Sequence, residues 1–263
     1  VTTWSSAAGC LFSVRSGPNY EVNKTKAPSL PSMYEVFAVR CYRSGCRTSF
    51  PTDVLPLPAE AFEVPKMGDM PQVLVVTFQL PSEPPSLFKS KDDGQGSEVT
   101  FFLKPSKRLR DQLAGTVIMS NAAKLLCRWC ATADSDKVIR KRFKCMALVD
   151  NLEKLNMGWL KSYNGRPILI TESGKARKSI VDDVSVLEMN SNVHAWNFIA
   201  KKGFVSLLPN FKKMRLNIGF TIEAHGDDEM PECILGSVTM NYIDETILPT
   251  ISPEMQKIDY NVV

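Results

Sequence analysis

From Met214 to Ile222 the chain alternates without a break, with Met214, Leu216, Ile218, Phe220 and Ile222 separated by Arg215, Asn217, Gly219 and Thr221. A period of two places each set on its own face, so the segment predicts a half-buried strand, apolar inward and polar outward. Val238, Met240 and Tyr242 alternate with Thr239 and Asn241 beyond a Gly226-Asp227-Asp228 turn signal, and the two segments predict a hairpin with a longer loop. Shorter runs rich in β-branched and aromatic residues predict strands at 10–15, 34–42, 72–80, 98–103, 143–149 and 167–171.

Three segments carry helical spacing instead. Ser106 is placed to cap a short helix through Leu113, and Ser120 or Asn121 to cap 122–131, where Leu125, Leu126, Trp129 and Cys130 share a face. A longer helix is predicted from an Asn192 cap to about Leu208, with Val193, Trp196, Ala200, Phe204, Leu207 and Leu208 near helical spacing and Pro209 as its stop. Residues 81–97 have the proline, serine and glycine content of a mobile surface excursion between two strands. These elements predict a single α+β domain over residues 1–263. Its expected core is a curved, mainly antiparallel sheet packed around the one long helix of the C-terminal half, with short additional helices.

A chain of 263 residues, 44% hydrophobic and 23% charged, can bury a sizeable core. Its net charge of +4 is too small to imply nucleic acid as a partner. No uncharged apolar run approaches the ~18 residues of a membrane-spanning helix. The chain begins at Val1, which leaves room for an upstream segment such as a removed organelle-targeting peptide. Seven scattered cysteines argue against a secreted disulfide framework.

The chemistry-bearing residues point away from an enzyme. There is no Gly-x-Ser-x-Gly, His-Glu-x-x-His or P-loop motif, and the two histidines, His194 and His225, sit on a predicted helix and in a turn. Asp182 and Asp183, read as adjacent residues of a strand, point to opposite faces and make a poor acid pair. Cys41, Cys46, Cys127 and Cys130 supply the four thiolates of a structural zinc site, but the second pair lies on a predicted helix and neither is framed by glycine knuckles. They remain weak metal candidates beside the ordinary role of buried free cysteines, and no metal is expected.

Several short motifs occur in an order that carries a family resemblance. They are Trp4-Ser5-Ser6, Phe12-Ser13-Val14-Arg15, Phe37-Ala38-Val39, the run Leu74 to Pro81, Arg142-Phe143-Lys144, Gly158-Trp159, residues 167–170, Glu223, and Met230-Pro231-Glu232 followed by Leu235-Gly236 and Val238. In these the chain resembles the C-terminal domain of the plant enhanced-disease-resistance-two proteins, from Trp4 to about Pro249. It departs from the family pattern at Arg40, where an aspartate is usual, at Thr77, where asparagine is common, and at Asn190 and Asn192, where the lead into the helix has two aspartates. In plant members this domain follows a pleckstrin-homology domain and a lipid-transfer domain, so the resemblance implies work with lipids at membranes.

The leading expectation is therefore a non-enzymatic domain that binds lipid or docks peripherally on an intracellular membrane. Trp196, Phe204 and Leu208 are the candidate lipid-contacting residues, and Lys201, Lys202, Lys212 and Lys213 the candidate basic rim facing an anionic leaflet. A bound lipid is the one ligand this reading implies. The alternative is an accessory subunit that packs its exposed apolar residues against protein partners in a larger, membrane-bound assembly.

Overall fold

The computed structural model describes residues 3–45, 48–85, 94–155 and 157–251. Twelve strands are present among them: β1 (Thr3–Ser6), β2 (Ser13–Arg15), β3 (Lys26–Pro28), β4 (Tyr34–Ser44), β5 (Val73–Pro81), β6 (Gly96–Pro105), β7 (Phe143–Val149), β8 (Pro167–Leu169), β9 (Gly174–Val181), β10 (Val184–Asn192), β11 (Arg215–Ile222) and β12 (Ile234–Asn241). Five helices accompany them: α1 (Tyr20–Asn23), α2 (Lys107–Leu113), α3 (Asn121–Thr132), α4 (Lys137–Arg140) and α5 (Phe198–Phe211). The strands form two open five-stranded sheets, in the order β1-β12-β11-β7-β8 and β4-β6-β5-β10-β9, plus the small β2-β3 ribbon. All pairs are antiparallel except β5 with β10.

The sheets meet across an aromatic stack. Phe220 of the first sheet lies 5.3 Å from Phe101 of the second, centroid to centroid, and 6.0 Å from Phe143, which stacks in turn on Trp129 of α3 at 5.5 Å. Such ring contacts contribute about 1 kcal/mol each beyond the area they bury. Helix α3 adds further fully buried side chains to this core, Leu126 among them, and its Ser120 cap accepts from the Ala123 amide. The α+β composition and the antiparallel sheets are as the sequence predicts, but the core is not organised around the C-terminal-half helix. In α5 only Lys201, Leu208 and Phe211 are buried, whereas α3 buries five residues.

The bounds of α5 also differ from the predicted ones. The Asn192 oxygen caps a 3-10 turn, Val193–Ala195, by accepting from the His194 amide, and β10 runs up to Asn192 itself. The helix starts after Asn197, whose side chain accepts from Ala200 N, and continues through Pro209, which removes one amide from the last turn without ending it. Asp182 and Asp183 lie not on a strand but at the tip of the β9-β10 hairpin, with φ of 48° and 65°. Positive φ at both central positions is the geometry of a tight turn whose twist matches the flanking strands.

β11 and β12 form the predicted hairpin, with Ile218 opposite Val238. The expected solvent face of β11 is covered as well. The Phe12 ring crosses it so closely that a Cβ on Gly219 would stand 3.0 Å from the ring, and Asn217 and Thr221 are buried beside it. β5 and β6 pair up to Pro81 and Gly96, so the excursion between two strands is real at its base; residues 86–93 at its centre lie outside the described residues.

Candidate functional site

Between Leu155 and Thr171 the chain has no acidic residue, and the structure turns this stretch into an exposed apron at the β8 edge of the first sheet. A 3-10 turn, Gly158–Ser162, packs Leu160 on the core and leaves Trp159 55% and Tyr163, just beyond it, 66% exposed. Asn164 fixes the turn to β7 by accepting from Val149 N at 2.6 Å and donating to Val149 O at 3.1 Å. Pro167 then leads into β8, where Ile168 and Leu169 are also exposed. Lys154, Lys161 and Arg166 accompany these apolar residues along the chain, all exposed and none in an ion pair among the described residues. Glu172, which bounds the stretch, is already held by Lys137 at 2.9 Å and by Lys141.

The residues flanking this segment hold helix α5 near both of its ends. At its start, Trp196 Nε1 donates to Ser173 Oγ at 3.3 Å; at its end, Asn151 Nδ2 donates to the Lys213 carbonyl at 2.8 Å. Among the candidate lipid-contacting residues, Phe204 sits edge-on to both Trp196 and Phe211, at 6.3 and 5.9 Å, and Leu208 is buried. Lys202, Lys212 and Lys213 are exposed, with Lys212 facing Asp244. Lys201 is not a rim residue: it is buried, and its Nζ donates to the His194 carbonyl at 3.1 Å. Phe198 and Ile199, at the start of α5, are the apolar residues of this helix that face solvent, Ile199 at 82%. A separate cleft of about 420 Å³ opens beside Ala8, Pro31, Val36 and Arg108, away from Trp196, Phe204 and Leu208.

The charged residues of the sequence motifs converge around β7 and the β11-β12 hairpin. Lys144 Nζ donates to Glu232 Oε1 at 2.6 Å with both side chains buried, and Glu223 stands 4.0 Å away. Glu232 also accepts from the Ala224 amide at 3.0 Å and the Arg15 amide at 3.3 Å, while Arg15 reaches Glu223 at 3.1 Å. Next to them Glu229 binds Arg142 and Arg128 and accepts from His225 N at 2.8 Å. Burial alone would raise the Glu229 pKa; the Arg142 guanidinium, the His225 amide and Arg128 outweigh it and hold the carboxyl at about 2. Burial lowers the Lys144 pKa, with Glu232 opposing. This network ties the N-terminal segment, β7 and the β11-β12 hairpin together.

Among the described residues no three metal-ligating side chains come together. Cys130 lies buried against Tyr34, and burial pushes the Cys41 thiol up to about 12, a protonated state unsuited to a metal ligand; Cys46 lies outside the described residues.

Compared with known families, residues 4–244 match the one described as Protein ENHANCED DISEASE RESISTANCE 2, C-terminal. The chain belongs to that family. No curated protein and no solved structure matches it. Against the family pattern, the four departures noted in the sequence fall on one face of the second sheet. Arg40, Thr100, Thr77, Asn190 and Lys175 form a single row across all five strands, and Asn192 lies opposite Gln79 in the next. Asn190 donates to Ser49 O at 2.7 Å and Glu188 accepts from Thr52 N at 3.1 Å, so this face is roofed by residues 48–53. Buried carboxylates in place of Asn190 and Asn192 would add negative charge beside Glu98 and Glu188; amides avoid that and gain a donor.

Sequence reasoning named one side of the surface, α5, and missed the apron. The acid-free run around Trp159 and Tyr163 was a usable signal, but which of its residues face outward follows from the turn that buries Leu160.

Proposed function

We propose that this domain docks peripherally on an anionic membrane surface through the apron of Trp159, Tyr163, Ile168 and Leu169 and the start of α5. The observation that supports this reading is the run of exposed aromatic and aliphatic side chains accompanied by cations that form no ion pair among the described residues, free of acids over residues 155–171. Tryptophan and tyrosine favour the headgroup layer because one end of each ring is apolar and the other is polar. Each nearby lysine or arginine adds about 1 kcal/mol at an anionic leaflet, so Lys154, Lys161, Arg166, Lys202 and Lys213 supply roughly 5 kcal/mol, enough for reversible attachment. No helix among the described residues is long and apolar enough to cross a membrane.

Co-sedimentation with phosphatidylserine-containing vesicles tests the proposal. Binding should fall as salt rises, because screening weakens each exposed charge. Exchanging Lys161 and Arg166 for alanine should remove roughly 2 kcal/mol, about thirtyfold in affinity, and Trp159→Ala with Tyr163→Ala should abolish binding while the melting temperature stays put. Salt-independent association with a protein from native extract, without vesicle binding, would refute docking in favour of an accessory subunit.

A further inference from the structure

We infer that Ser162 is a phosphorylation site that releases the domain from the membrane; this rests on the docking reading above and adds its regulation. Within the acid-free run 155–171 the hydroxyl-bearing residues are Ser162, Tyr163 and Thr171. Thr171 follows the buried Ile170 and adjoins Glu172, and the Tyr163 ring is itself a docking group. Ser162 is exposed at the end of the 3-10 turn, directly after Lys161. Its Oγ donates to the Trp159 carbonyl at 3.4 Å, too long to hold the hydroxyl against a competitor.

The turn keeps its cations near this hydroxyl along the chain. Tyr163 N donates to Leu160 O at 2.9 Å and Arg166 N to Tyr163 O at 3.1 Å, so the backbone from Lys161 to Arg166 folds compactly around Ser162. A phosphoserine carries about −1.5 to −2 charges at neutral pH, which offsets Lys161 and Arg166 together. Docking that depends on a patch without acids is lost when a dianion is placed inside it, the logic of an electrostatic switch. The segment is also open to an enzyme. No residue from Gly158 to Arg166 is fully buried, so a protein kinase can draw the turn into its cleft without uncovering the core. There the Ser162 oxygen forms a bond to the γ-phosphorus of a nucleoside triphosphate as the bond to the diphosphate breaks; the nucleoside diphosphate leaves and the hydroxyl proton passes to the kinase's base. A docked turn is covered by the leaflet, so the transfer takes place on detached protein and holds it there.

The test compares the unmodified chain with one carrying phosphoserine at Ser162 and, as a control, one carrying it at exposed Ser5 on β1, the opposite edge of the same sheet. Four strand spacings, roughly 19 Å, or about two Debye lengths, separate β1 from β8. On phosphatidylserine vesicles, phosphorylation at Ser162 should weaken binding roughly thirtyfold and flatten its salt dependence, and phosphorylation at Ser5 should change it less than about twofold. Ser162→Glu, with one added charge, should lose about fivefold, and Ser162→Ala should bind as the wild type does, with melting temperatures unchanged throughout. Equal losses from both phosphoserines would overturn the site in favour of net charge alone. No loss at Ser162 in a chain that binds vesicles would overturn the switch and leave docking standing, whereas an unmodified chain that binds no vesicle would overturn both. In native cells, mass spectrometry should find Ser162 phosphorylated in the soluble fraction and unmodified on membranes; phosphate at Ser162 in neither fraction would overturn the modification.

Discussion

Replacing Glu232 by leucine should remove most of the stability of this domain, and replacing Lys144 by methionine at the same time should restore much of it. Glu232 and Lys144 are 2% exposed each and 2.6 Å apart. Loss of the carboxylate strands the Lys144 ammonium with Glu223 at 4.0 Å and leaves the Ala224 amide without its acceptor. Breaking a buried pair from one side costs about 3–5 kcal/mol, because an uncompensated charge stays buried. Removing both charges leaves apolar groups of similar volume in a covered site, while Arg15 and Glu223, 3.1 Å apart, still pair. The double variant should therefore lie at least 2 kcal/mol above the sum of the single losses. Urea unfolding followed by far-ultraviolet circular dichroism measures this directly. With a slope of about 3 kcal/mol per molar, a 4 kcal/mol loss moves the midpoint by more than 1 M. Single losses below about 1 kcal/mol, or simple additivity, would refute the view that these motif residues form one coupled charge network.

The neighbouring Glu229 predicts an acid limb. Its carboxyl sits at about 2 in the folded state against an ordinary 4.5, so its contribution is complete above pH 4.5 and is lost as pH falls towards 2, with an upper bound of about 3 kcal/mol. Wild type should lose stability across that window faster than Glu229→Gln, and parallel curves would contradict the assignment. On the second sheet, Asn190→Asp exchanges a buried donor to Ser49 O for a charge beside Glu188. It should cost about 2–3 kcal/mol at pH 7. Burial raises the folded pKa of the new carboxyl, so the deficit should shrink as pH falls and the protonated acid donates again; a deficit that does not change with pH would argue against a buried charge there.

Local pattern was sufficient for most strands and two helices because their signals are local. Ser106 and Ser120 cap the helices they were expected to cap, and 143–149 is a strand to the residue. The β11-β12 pair was legible from matching alternation across one turn. The parallel pairing of β5 with β10 was not, since more than a hundred residues separate partners such as Val73 and Val186, and no local period reports a neighbour so distant. The covering of β11 by Phe12 escaped for the same reason: Asn217 and Thr221 read as solvent-facing until a segment two hundred residues away lies over them.

The same division runs through the candidate site. Composition and order alone established the family motifs and the basic character of α5, while the acid-free run at 155–171 was present in the sequence and went unread. Tertiary structure decided what each charge does. Arg142, Lys144, Glu223 and Glu232 look like scattered surface charges along the chain and become a buried network once three elements converge. Lys201 and Lys202, adjacent and chemically identical, separate into a buried donor and an exposed cation because one helical step, about 100°, turns a side chain from core to solvent. Sequence determines which groups are available; only packing determines how much water each retains, and with it the strength and the reach of every charge.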